Sequence, residues 1–171
     1  MKYDTIWKII TIGKNPRDKF SQKLKDNGMK VSPCSDYMMK QDAFVVASEE
    51  EQIYLVNVSV GELGFDSATG YDAICARAKK SGLELFPPEV GPQLRLQFLD
   101  QSLDQSIFIA MEAVRFPNGD LDIFCMSRHS GGSRIPWLIS ENVSPGTYFH
   151  PSSRFVFRKL ACLAGKQLSD T

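Results

Sequence analysis

The chain has 171 residues, 43% of them hydrophobic and 23% charged, a balance that fits one folded domain and confines expected disorder to the termini. Twenty Lys and Arg offset twenty Asp and Glu, so no strong overall field holds the protein to nucleic acid. No uncharged apolar run approaches the ~20 residues that span a bilayer, and the alternating start has no signal-peptide core, so a soluble cytoplasmic protein with no membrane partner is expected.

Charge is uneven along the chain. Residues 1–30 carry eight Lys and Arg against three Asp, whereas residues 41–72 carry seven acids and no Lys or Arg. Solvated faces and pairing inside the fold explain this most simply, because surface ion pairs are common and weak. The sharper alternative is a nucleic-acid-associated factor that uses the basic stretch 14–30. Cys34, Cys75, Cys125 and Cys162 show no close C-x-x-C spacing, so reduced thiols are expected and no metal site or cofactor is implied.

Residues 5–12 (TIWKIITI) are β-branched and aromatic and predict a strand. Pro16 then opens a helix to about Asn27, with Phe20 and Leu24 on its apolar face and Gly28 closing it in the left-handed region. Residues 32–41 read as irregular, with a short helical turn around Tyr37 and Met38. Residues 43–47 (AFVVA) and 52–60 (QIYLVNVSV) read as two strands joined by an acidic turn. Thr69 and Asp72 approximate a capping box before a helix over 70–80, which Gly82 ends.

Residues 82–98 (GLELFPPEVGPQLRLQF) read as a short strand, two proline turns and an alternating strand from Gln93. Strands are also predicted over 106–115, 120–126, 137–139 and 154–160. Asn118-Gly119 joins the first two of these as a hairpin. The Ser-, Gly- and Pro-rich stretches 127–134 and 143–153 read as loops.

Together these elements predict a single α+β domain over 1–162 with a frayed tail over 163–171. Its sheet, antiparallel or mixed, holds about six or seven strands, and two helices pack on one face.

ELGF at 62–65, GLEL with PPEVGPQLRLQ over 82–97 and IAME at 109–112 resemble a family of small bacterial proteins to which no activity is attached. The resemblance covers most of residues 5–158 and implies a shared fold unit without a function. That family often has Cys at the position of Phe86 and Pro at that of Ala113. A nucleophilic thiol at position 86 is therefore not implied.

Candidate chemistry is sparse. Glu112 sits in a stretch whose alternation is apolar on both faces, which predicts partial burial and a nearby cation. Arg95, on the polar face of the strand expected from Gln93, is the natural partner. The pair reads first as structural. Its functional version makes Glu112 a general base while Arg95 holds an anionic substrate. Glu89, between the proline turns, either caps backbone N–H groups of its own turn or supplies a second carboxylate for acid/base work.

Arg128, His129 and Arg134 flank a glycine-containing loop that could hold an anion, although it lacks the Lys-Ser/Thr ending and helix context of a phosphate loop. The loop reads more simply as plain surface. The favoured reading is a binding or interaction module for a protein or small molecule, with its surface along the Pro-rich turn 86–97. The alternative is a small hydrolase or transferase using Glu112, Glu89 and Arg95.

Overall fold

The computed structural model describes residues 3–131 and 134–160. The expected tail, Cys162 and the Gly132-Ser133 step of the 127–134 loop lie outside the described residues.

In chain order the elements are β1 (Lys8–Ile12), a 3-10 turn (Arg17–Lys19), α1 (Phe20–Asp26), β2 (Lys30–Val31), α2 (Pro33–Lys40) and β3 (Glu51–Ser59). Next come β4 (Thr69–Gly70), α3 (Tyr71–Lys80), β5 (Leu83–Glu84), α4 (Val90–Gln97) and β6 (Gln105–Ile109). The chain continues through β7 (Val114–Arg115), β8 (Leu121–Arg128), β9 (Trp137–Asn142), β10 (Tyr148–Phe149) and β11 (Arg154–Lys159). The fold is α+β. Among the described residues nine strands form one mixed sheet, ordered β1-β3-β11-β6-β8-β9-β2, with β5 beside β11 and β7 beside β8. The β11–β6 and β2–β9 pairs are parallel, and β4 with β10 makes a separate ladder.

Both faces of the sheet are covered. Phe155, Phe108 and Cys125 are partners in register and so share a face. On that face α3 stacks the Tyr71 ring on Phe155, with ring centroids 5.9 Å apart. Phe124, one residue along β8, points the other way and meets Phe44 edge-on, and Phe44 in turn meets Phe20 of α1. The four described helices are thus divided between the two faces. β3, in the interior of the sheet, is accordingly buried on both sides, through Ile53 and Leu55 and through Val56 and Val58.

Several local expectations change. Residues 43–47 form a loop rather than a strand, because Phe44 is needed in the core and the acidic turn beyond it has no partner strand. α2 is a full helix, started by Pro33 and by Ser32, whose Oγ accepts the Ser35 N–H at 3.1 Å. The capping box does not form: Gly70 is the N-cap of α3, and the Thr69 hydroxyl donates instead to the Ser67 carbonyl. Gly28 and Gly82 do adopt positive φ, at 76° and 81°.

The largest change lies in residues 90–97, which are helix and not alternating strand. Pro92 falls in the first turn, where its missing N–H has no partner to lose. Val90, Leu94 and Phe98 then recur at four-residue spacing, and all are buried. Gly91 lets the helix reach the sheet, since a Cβ there would lie 2.5 Å from the Phe124 ring. The segment 86–97 is therefore mostly interior: residues 89–95 are all buried, so it does not form the surface expected of it.

α4 also secures the outer edge of the sheet. Its four-residue spacing lines up Glu89, Gln93 and Gln97, with Gln93 Nε2 donating to Glu89 Oε1 and Gln97 Nε2 to Gln93 Oε1, each at 3.2 Å. Gln97 takes both main-chain groups of Thr11 in edge strand β1, accepting its N–H at 3.0 Å and donating to its carbonyl at 2.8 Å. Glu89 accepts the Gly13 N–H at 2.7 Å and, through its other oxygen, the Ala47 N–H at 2.9 Å.

Candidate functional site

The expected strand over 106–115 is interrupted. From Phe108 to Val114 the chain advances six residues, while its partner β8 advances three, from Cys125 to Asp122. The surplus forms a large bulge over 110–113. Each side of the bulge is held separately. Ala110 donates its N–H to the Val156 carbonyl and accepts from the Phe86 N–H. The Tyr71 hydroxyl of α3 donates to the Met111 carbonyl at 2.6 Å and accepts the Met111 N–H at 2.9 Å. One phenol thereby replaces a missing strand partner, and its burial raises its pKa.

The bulge turns Glu112 outward. Its side chain is exposed and has no hydrogen bond or ion pair among the described residues. The expectation that Glu112 is partly buried against Arg95 fails for a physical reason. The bulge carries the carboxylate to water and so avoids burying an uncompensated charge.

Two clefts meet at this point. One, of about 450 Å³, runs between the residues that follow α2 (Gln41 to Ala43), Pro88 and the segment from Glu112 to Arg115. The other, of about 340 Å³, lies on the α3 side between Tyr71, Cys75 and Lys79 and the apolar groups Leu85, Met111 and Val143. Glu112 and Ala113 line both. Cys75 is buried at the second cleft, and burial pushes its thiol up to about 11, so it is a poor nucleophile at neutral pH.

The edge itself is open. In the Asn118-Gly119 hairpin the Phe116 N–H donates to the Asp120 carbonyl. Both main-chain groups of Leu121, the register partner of Arg115, bond away from it, toward Val143 and Ser144. The N–H and C=O of Arg115 consequently face away from β8, as do those of Ala113 two residues earlier. None of these four groups has a partner among the described residues.

The other candidate residues do not converge here. Glu89 and Arg95 are each 0% exposed and line no cleft with Glu112. Glu89 does bond backbone N–H groups, but those of two other loops rather than of its own turn. Arg95 donates to the Gln101 side chain and to the Phe98 carbonyl, and its Nε has no partner. Burial, with the like charge of Arg128 second, lowers its pKa to about 10. Glu89 precedes the first turn of α4 and Arg95 is in its last, so each charge opposes the nearer end of the helix dipole.

Arg128, offered as an anion ligand, instead donates to the carbonyls of Gln101 and Arg134. His129 Nε2 lies 3.4 Å from the Ser127 hydroxyl, and Arg134 is exposed at φ 54°. Hydrogen bonds from the Ser130 side chain and from its N–H lower the Asp104 pKa and keep a negative charge beside the same loop. Within the basic stretch 14–30, Arg17 lies 3.7 Å from Asp42 and Lys23 donates to Asn15, so part of its charge is matched inside the fold. No group of three or more His, Cys, Asp or Glu among the described residues is placed to hold a metal ion. Among them, no helix is long and apolar enough to cross a membrane.

Sequence reasoning missed Tyr71, Ala113 and the bulge. No residue type in 106–115 signals the bulge, because added residues leave the apolar run unbroken. Comparison with protein-family models, curated proteins and solved structures gave no match for this chain.

Proposed function

We propose that the chain is a cytosolic binding module whose ligand seat is the pair of clefts meeting at Glu112 and Ala113. The observation that carries this reading is the bulge over 110–113, which opens the sheet between two concave surfaces and presents one unpartnered carboxylate. Bulges of this kind re-aim side chains next to working sites. Apolar walls with a few fixed polar groups are what small-molecule and peptide seats are made of. Tyr71 keeps the seat preformed, because its hydroxyl fixes the backbone of Met111 from both sides.

The acid/base alternative has less support. Glu89 and Arg95 are enclosed, with both Glu89 oxygens and both terminal nitrogens of Arg95 held within the fold, so neither joins Glu112 at the clefts. The test is a nuclear magnetic resonance screen of a mixed library of small apolar and cationic fragments. Shift changes should cluster on Cys75 and on residues 111–114. A cluster around Tyr3, Asn57 and Glu62, which line a separate cleft, would sink the proposal, as would no binding at all.

A further inference from the structure

The open edge and the two clefts form one surface. Ala113 and Arg115 offer two N–H and two C=O groups in a row, spaced as a strand partner requires. The clefts lie on the two sides of that row, where the alternating side chains of an added strand would fall. Their lining carries three acids, Asp42, Asp72 and Glu112, and two bases, Lys79 and Arg115. Asp42 is matched by Arg17 at 3.7 Å, and the Arg115 guanidinium is turned to the Gly119 carbonyl. Glu112, exposed and with no ion pair among the described residues, is the acid that lines both clefts.

Resting on the binding reading above, we infer that this edge takes an extended peptide segment bearing Lys or Arg, by strand addition along residues 113–115. Backbone hydrogen bonds supply register, small apolar residues enter the α3-side cleft, and a cation of the peptide meets Glu112. A second copy of the chain is a poorer occupant of the same edge, because pairing it with itself brings two unpartnered Glu112 carboxylates into one interface.

The test uses a fluorescein-labelled decapeptide of alternating valine and lysine, a counterpart with glutamate for lysine, and the lysine peptide methylated at every backbone nitrogen. The lysine peptide should bind at least about tenfold tighter than the glutamate peptide, with Glu112→Lys reversing that preference. The methylated peptide should fail to bind. Amide exchange at Ala113 and Arg115 should slow by about tenfold or more at saturation, while the rest of the sheet is unchanged. Glu112 is exposed and unpartnered, so its replacement leaves the fold intact.

Several outcomes overturn the inference. If the methylated peptide binds equally well, or the two amides are not slowed, strand addition is wrong. In that case the binding reading stands, provided the shift changes stay at the clefts. If the lysine peptide does not bind, or binds elsewhere, both are wrong. Protection of Ala113 and Arg115 that grows with protein concentration alone assigns the edge to a second copy instead.

Discussion

Two edges of the sheet, β1 and the segment 113–115, are treated in opposite ways. At β1, α4 lays a ladder of polar side chains along the strand, and Gln97 and Glu89 take up the main-chain groups of Thr11 and the N–H of Gly13. At residues 113–115 nothing comparable is present among the described residues, and the main chain faces open clefts. Exposed edges invite unwanted pairing, and folded proteins usually cover or charge them. That one edge is covered at the expense of burying a carboxylate, while the other is left free beside a solvent-facing one, distinguishes an edge kept shut from an edge kept available. The two glutamates mark the contrast: Glu89 is enclosed and spent on backbone, Glu112 exposed and unspent.

The largest expected effect is at the closed edge. Glu89→Ala strands the Gly13 and Ala47 N–H groups and should destabilise the protein by about 2–4 kcal/mol. Thermal unfolding should show a drop on the order of 10 °C. A Tm unchanged within error would mean that α4 does not hold β1.

Gly91→Ala should cost about 1–3 kcal/mol, because the new methyl meets the Phe124 ring and pushes α4, with its ladder, off the sheet. Gln97→Ala should cost only about 1 kcal/mol, since the Thr11 groups it releases can turn to water. It should nevertheless raise concentration-dependent association, seen by sedimentation, as the β1 edge is uncovered. Amide exchange sharpens the comparison without any mutation: Thr11 and Gly13 should be protected, and Ala113 and Arg115 should exchange much faster. Equal protection at the two margins would end the distinction.

The least perturbing probe is thiol labelling. Cys34 is exposed, whereas Cys75 is buried at the α3-side cleft with a thiol raised to about 11. The thiolate is the reactive form and its fraction falls as the pKa rises, so at pH 7.5 Cys34 should label rapidly and Cys75 only on unfolding or as pH climbs toward 11. Mass mapping of the labelled peptides distinguishes the two. Rapid labelling of Cys75 at neutral pH would mean that the cleft opens more than its geometry suggests.

Much of the secondary structure was legible in the residues. β-branched runs gave β1, β3 and β11, glycines at 28 and 82 marked helix ends, and Asn118-Gly119 gave its hairpin. The candidate site was not legible, for two reasons of periodicity. Leu94, Leu96 and Phe98 alternate, but Val90, Leu94 and Phe98 also recur at helical spacing, and a short apolar segment cannot choose between the two periods. IAMEAV reads as an unbroken strand because a bulge adds residues without changing residue type.

The amino-acid sequence alone determined the α+β class and most strand positions, because hydrophobic period and turn residues act over a few neighbours. Which charges are enclosed and which face water was decided by tertiary structure. Glu89 could be buried only because two distant loops bring their N–H groups to it, and Glu112 left the interior because no cation came to meet it. A side chain's solvation depends on partners far along the chain, and only the assembled fold supplies them.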